Sequence, residues 1–290
     1  MAKRQEKNII ISIPGGTTKI GPKAFSGRAD ITSVTIPGSV TEIGDDAFNG
    51  CTSLKSIVIP DSVKVIGNCA FHGCTGLTSI AIGNSVTKIG FFAFFGCTGL
   101  KNIVIPDSVK DIGSNAFSNC TGLTNIFIPN SVYDIGTGVF QGCTSMKSMK
   151  VDEGNKYFDS RDNCNGIIRT QMGILEEGCS TTVIPHGVVT IRTFWGCTGL
   201  KEIVIPDSVK EIGDCAFRGC TGLKSIVIPD SVTKIGWNAF SECTELTHLT
   251  IPSTVRINGC AFDGCTALET VEIKGEMKPF PERITWEDRD

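Results

Sequence analysis

Apolar positions in this chain follow one short phrase that is written over and over. In residues 54–76, "LKSIVIPDSVKVIGNCAFHGCTG", Ile57 and Ile59 flank one outward position, Val63 and Ile66 follow at wider steps, and Ala70, Phe71 and Cys74 close the phrase. The I-x-I step has the period of a short strand with one face inward. Pro60 then ends the strand, because it has no N–H for another ladder bond. The P-D-S that follows is turn chemistry. Val63 and Ile66 predict a second short extended or turning segment, closed by Gly67. The A-F-x-G-C stretch suits one tight helical turn that glycine terminates.

The second isoleucine of the phrase recurs at Ile13, Ile36, Ile59, Ile82, Ile105 and Ile128, with Val151 in the same place, and each step is 23 residues. Ile184, Ile205, Ile228 and Ile251 continue it. One copy cannot bury its own apolar residues, whereas stacked copies can. The expected fold is a mainly β repeat solenoid with one short parallel strand per ~23-residue repeat, and with turns and short helical turns on the other side. Strands are predicted near residues 11–13, 34–36, 57–59, 80–82, 103–105, 126–128, 149–151, 182–184, 203–205, 226–228, 249–251 and 271–273. They make a single solenoid over residues 1–275, with residues 276–290 as a C-terminal cap or tail. The first copy departs as an end requires: Arg28 takes the cysteine position, and the charged "MAKRQEK" precedes the first strand.

These phrases, I-P-x-S-V-x-x-I-G-x-x-A-F-x-G-C-T-x-L over roughly residues 8 to 275, resemble the BspA-like, or Treponema pallidum-type, class of leucine-rich repeats. The resemblance implies a right-handed superhelix. Proline after the strand departs from the commoner leucine-rich pattern and argues for short strands and turns, not helices, on the outer wall. The phrase breaks over about residues 152–183, where "NGIIRT" and "GILEEGC" predict a hairpin around Gln171 and Met172. Similar insertions occur in the BspA-like class, which implies a hairpin projecting from the rod. Cys164 and Cys179 lie on its two sides, and a disulfide across it is one option.

Nine of the fourteen cysteines hold the G-C position: Cys51, Cys74, Cys97, Cys120, Cys143, Cys197, Cys220, Cys243 and Cys265. Stacked copies place them in ladders with parallel Cβ vectors, which disulfide geometry disfavours, so free thiols are expected. Phe25, Phe48, Phe71, Phe94, Phe117, Phe140, Phe194, Phe217, Phe240 and Phe262 form an equivalent core column. Cys69, His72 and Cys74 could be read as metal ligands, but the place of His72 is held elsewhere by Asn49, Phe95, Ser118, Gln141 and Arg218. No metal and no cofactor are expected.

The formal charge of −3 comes without any lysine or arginine cluster, which argues against nucleic acid and anionic membrane surfaces. No apolar run reaches the roughly 18 residues of a membrane span. His72, His186 and His248 fall at unrelated repeat positions, while Asp61, Asp107, Asp207 and Asp230 recur as turn residues after proline. Nothing converges on catalysis, so the chain is expected not to be an enzyme.

Function is then sought where copies differ. "IGFFAFFGC" places Phe91, Phe92 and Phe95 where other copies carry Asp45, Asp46 and Asn49, or Ser114, Asn115 and Ser118. Trp195 and Trp237 occupy such positions too, while Phe127 and Lys150 interrupt the small, neutral outward positions of the strands. These seven residues are the candidates for binding a protein partner. The BspA-like resemblance implies a cell-surface or secreted adhesin, with extracellular matrix glycoproteins among the implied partners. The alternative is a cytoplasmic recognition or scaffold protein using the same surfaces, because "NIIISIP" is too short for the apolar core of an export signal.

Overall fold

The computed structural model describes residues 8–273 and the backbone of residues 276–279; the charged start at 1–7 and the tail at 280–290 lie outside the described residues. The chain divides into two compact units, Met1–Met146 with Val151–Asn155, and Lys147–Lys150 with Lys156–Asp290.

In the first unit, Ile9–Ser12, Ile31–Thr35, Ser56–Val58 and Ser79–Ala81 stack as consecutive parallel strands. A second parallel ladder of two-residue strands runs through Lys19–Ile20, Glu42–Ile43, Val65–Ile66, Lys88–Ile89, Asp111–Ile112 and Asp134–Ile135. It is built by the V-x-x-I-G segment, so the outer wall is made of short strands and turns. The turn between the ladders is the work of P-D-S-V. The Val63 N–H donates to the Pro60 carbonyl at 3.0 Å, and Ser62 Oγ donates to the Val40 carbonyl one rung earlier at 2.6 Å.

Glycine follows the second strand because the rungs approach backbone to backbone. A Cβ on Gly67 would lie 2.7 Å from the Asp45 nitrogen, and one on Gly90 would lie 2.6 Å from the Gly67 carbonyl carbon. The A-F-x-G-C stretch is a turn whose donors alternate in direction. Ala70, His72 and Cys74 close i to i+3 bonds, whereas Cys69, Phe71 and Gly73 donate to Phe91, Ala93 and Phe95 of the next rung at 2.7–2.8 Å. That alternation needs a left-handed residue just before Ala-Phe. Lys23, Asp46, Cys69, Phe92, Asn115, Gly138, Cys215, Asn238 and Cys260 all hold φ between 53° and 66° there.

The core is the two columns inside this frame. The phenylalanines stack ring on ring with centroids 5.1–5.6 Å apart from Phe25 to Phe140, and 5.0–5.2 Å apart from Phe194 to Phe262. Beside them, eight of the nine ladder thiols donate to the phenylalanine carbonyl of the preceding rung, among them Cys74 to Phe48, Cys97 to Phe71, Cys120 to Phe94 and Cys220 to Phe194, at 3.1–3.2 Å, while Cys197 donates to the Gly178 carbonyl at 3.6 Å.

The second unit begins with the insertion. Gly166–Arg169 and Ile174–Gly178 pair antiparallel, Phe158–Asp159 adds outside the former, and Ile174–Gly178 then pairs in parallel with Thr190–Ile191 to start the outer ladder. Ile167, Ile168, Leu175, Glu176 and Glu177 are buried, so the hairpin is built into the wall and does not project. Glu176 is held by Arg169 at 2.7 Å and by Arg192 at 3.2 Å. The ring of Phe194 lies against Gly178, whose added Cβ would meet it at less than van der Waals distance. At the far end Glu276–Pro279 pairs antiparallel with Thr270–Ile273 and covers that edge.

Strands expected near 103–105, 182–184 and 203–205 do not form, although Ile103 and Ile105 are buried and Val104 points outward as alternation requires. The inward isoleucines hold those rungs in place without ladder bonds.

A non-glycine residue in the left-handed region costs about 1–2 kcal/mol, and least for asparagine. Cys69→Asn, which copies the residue at Asn115 and Asn238, is therefore expected to raise stability by about 1 kcal/mol. The denaturant midpoint measures it, and a lowered midpoint would contradict the backbone assignment.

Candidate partner-binding surfaces

Two surfaces carry the variable residues. On the turn wall, Phe91 and Phe92 are 49% and 38% exposed and Phe95 is half-buried. Phe95 lies parallel on the imidazole of His72 one rung earlier, centroids 4.9 Å apart, and Phe92 leans on Phe95 at 5.7 Å. The Phe91 N–H is held by Asn68 Oδ1 at 2.9 Å. The structure thus brings Phe91, Phe92 and Phe95 together and adds His72, which is not among the seven candidates. The signal was present: residues 23 apart touch in a stacked repeat.

The other candidates are dispersed. Trp195 is half-buried under the guanidinium of Arg218, 4.9 Å from its ring, and Arg218 in turn binds Glu242 at 2.8 Å. Trp237 is exposed, with its indole across Gly259 and its backbone N–H held by Asp214 Oδ1 at 2.8 Å. Phe127 and Lys150 are exposed on strands.

The strand wall carries a second set of exposed apolar side chains. Val58, Val104 and Phe127 in the first unit, and Val183, Val204 and Val227 in the second, stand outward as an apolar stripe, with Val104 and Val204 79% and 82% exposed. In the second unit a shallow cleft of about 550 Å³ opens where ladder bonds are missing, lined by Val183, His186, Glu202, Val204 and Asp207 among others.

The cysteines face inward, away from both surfaces, apart from Cys260 (exposed) and Cys69, Cys197 and Cys215 (half-buried); all fourteen are thiols, Cys164 and Cys179 included. Cys74 turns its S–H to Phe48 while His72 stacks on Phe95, so the trio with Cys69 does not converge. Among the described residues no cluster of three or more His, Cys, Asp or Glu is placed to hold a metal ion. Burial pushes the Cys51, Cys120 and Cys220 thiols up to about 12 and the Cys164 thiol up to about 11. Among the described residues no helix is long and apolar enough to cross a membrane.

Stacked parallel rungs with a variable exterior define a leucine-rich-repeat solenoid. The profile of the BspA type leucine rich repeat region matches in six copies, over residues 5–88, 64–165 and 180–284, and the chain belongs to that family. A leucine rich cell surface protein from Faecalibacterium prausnitzii is similar in structure, with 31% identity, TM-score 0.65, and 93% of this chain and 89% of that one covered. A leucine-rich repeat protein from Eubacterium ventriosum is 26% identical with TM-score 0.74, covering 90% of this chain and 71% of that one. The pneumococcal vaccine antigen PcpA shares the fold at 22% identity and TM-score 0.64, covering 91% of this chain and 68% of that one. A comparison with curated proteins finds no match.

The raised thiols give a pH dependence of known sign. The folded state holds these protons more tightly than the unfolded state, near 9.0, so their contribution is complete below about pH 9 and is lost as pH climbs toward about 12. The thermal midpoint is expected to fall across that window. At neutral pH a thiol reagent is expected to modify Cys260 first, then Cys69, Cys197 and Cys215, and the rest only in denaturant. Mass mapping that finds Cys120 modified in native protein would contradict the ladder.

Proposed function

We propose that this chain is a non-enzymatic, adhesin-like protein-binding module of the cell surface, and that its partner is a protein gripped by the Phe91–Phe92–Phe95 rung. The observation that carries this reading is Phe92. The turn holds this position at positive φ in copy after copy, with lysine, aspartate, cysteine, asparagine or glycine there, and only this rung fills it with an aromatic side chain, Phe92 at φ +54°, whose ring is left substantially exposed. An exposed ring beside Phe91 and Phe95, where the turn calls for no aromatic, is the kind of anchor a protein partner grips. The likeness to the Faecalibacterium relative, a cell surface protein, supports the location. Extracellular matrix glycoproteins are the partners to test first.

One observation favours the cytoplasmic recognition or scaffold reading. The ladder thiols serve as hydrogen-bond donors to phenylalanine carbonyls, a use of cysteine suited to a reducing compartment. Protease shaving of intact cells separates the two readings.

Binding of the purified chain to immobilised fibrinogen, fibronectin and related glycoproteins is expected to saturate. Phe91→Ser/Phe92→Ser/Phe95→Ser is expected to weaken it by at least about tenfold, as loss of a central aromatic anchor does. A triple variant that folds and binds as the parent does would overturn the site.

A further inference from the structure

We propose that the exposed strand wall of each unit binds the same wall of a second copy of this chain, face to face, about a two-fold axis running along the direction in which that unit's rungs stack. Each rung of the form L-K-x-I-V-I-P-D presents three outward features in a fixed order. A lysine precedes the strand, a valine stands at its centre, and an aspartate follows the proline. In the second unit the rows are Lys201 and Lys224, Val204 and Val227, and Asp207 and Asp230, all exposed. In the first they are Lys55 and Lys101, Val58 and Val104, and Asp61 and Asp107, also exposed. The wall is therefore a basic rail, an apolar stripe and an acidic rail, side by side.

Two facts make this surface incomplete in one copy. First, in the second unit the Lys224 N–H donates to the Lys201 carbonyl at 3.3 Å, so the two lysines, and with them Asp207 and Asp230, fall on neighbouring rungs, where like charges repel. Elsewhere the chain resolves its ladder charges internally, with Lys19 on Glu42 at 2.8 Å, Lys88 on Asp111 at 3.2 Å and Lys234 on Glu211 at 2.6 Å. None of the eight rail residues has an ion-pair partner among the described residues; Asp61 bonds only the Asn84 N–H, at 2.7 Å. Second, Val104 and Val204 are among the most exposed apolar side chains of the molecule.

A second copy supplies what is missing. Rotation about an axis parallel to the stacking direction lays valine stripe on valine stripe and carries each lysine rail onto the partner's aspartate rail, on both sides at once. Rotation about the perpendicular in-plane axis would set lysine on lysine, so charge selects one of the two arrangements. Within the second unit the phenylalanine centroids stay 5.0–5.2 Å apart from Phe194 to Phe262, close to the spacing of paired strands, so the rungs there are nearly as deep at the turn wall as at the strand wall. The three or four rungs of a unit, each about 20 Å wide, offer on the order of 400 Å² per copy, below the size of a standard interface, so the contact relies on its charge pairs and is weak and reversible. The face is separate from the aromatic rung and does not depend on it.

Sedimentation equilibrium of the full chain tests this. Over about 1–300 µM a reversible monomer–dimer equilibrium is expected, weakening as salt shortens the screening length. Lys201→Glu/Lys224→Glu leaves two acidic rails, and Asp207→Lys/Asp230→Lys leaves two basic ones. Each is expected to raise the dimer Kd by at least about tenfold. The quadruple variant, with the rails exchanged, is expected to restore it, and the two double variants mixed together are expected to form a heterodimer. All four positions are exposed, and circular dichroism checks the fold. A chain that stays monomeric throughout, as it would if the stripe served a peptide of another protein, overturns the proposal. So do double variants that dimerise like the parent, or a quadruple variant that fails to recover.

Discussion

Hydrogen bonds between consecutive rungs, made in register in the strand wall, the outer ladder and the turn wall, constrain nearly every other choice in this chain. Because the turn wall sends every second N–H forward to the next rung, its geometry is fixed by the neighbour as much as by its own residues. That forces the left-handed residue before Ala-Phe and brings the following rung down onto the backbone at the conserved phrase position of Gly67 and Gly90, where a side chain has no room. It also brings equivalent side chains to about one strand spacing, at which a flat ring fills the gap by stacking. Cysteine completes the set. Within the regular rungs a phenylalanine carbonyl accepts the cysteine N–H of its own rung and the cysteine S–H of the next, as Phe71 does from Cys74 and Cys97. A weak, compact donor suits an acceptor that is already partly satisfied.

Most of the frame could be read from the sequence because each position has a chemical consequence that recurs. Alternation at Ile57 and Ile59, the Pro60 stop and the phenylalanine column needed no structure. What could not be read depends on relations between rungs. "IVIPDSV" is shared by residues 57–63 and 103–109, yet the first contributes a ladder strand and the second does not. The phrase is identical, so the difference comes from outside it, from how each rung meets its neighbours. The left-handed position was legible and was passed over: Asn115, Asn238, Asp46 and Gly138 are the residues that conformation favours, and Cys69 and Cys215 are its exceptions. The insertion was legible as a hairpin, but its burial was not, because the apolar run Ile167, Ile168 and Leu175 reads equally as a projecting strand pair.

The two surfaces show opposite relations between function and repeat. The aromatic rung is a departure: Phe92 occupies a backbone conformation better suited to asparagine, and its stacking with Phe95 and His72 arises in one place only among the described residues. A partner recognising it finds one address on the solenoid. The strand wall is the reverse, since its rails come from the consensus itself and recur wherever the phrase is kept.

Regularity of that kind raises the problem of register, since a uniform periodic face would complement itself at every shift of one rung. The substitutions along the rails bear on it directly. In the first unit Thr78 and Thr124 alternate with Lys55 and Lys101, and Asn84 and Asn130 alternate with Asp61 and Asp107. A slip of one rung there sets lysine against asparagine and aspartate against threonine, and each lost charge pair lowers the affinity of that register relative to the aligned one. In the second unit the charges fall on consecutive rungs, and a one-rung slip leaves an unmatched charge at each end. Phe127, at the place valine holds in Val58 and Val104, adds bulk at one end of the first unit's stripe and removes the remaining symmetry. The same small departures that make repeats look imperfect therefore limit the alignments in which two copies can meet.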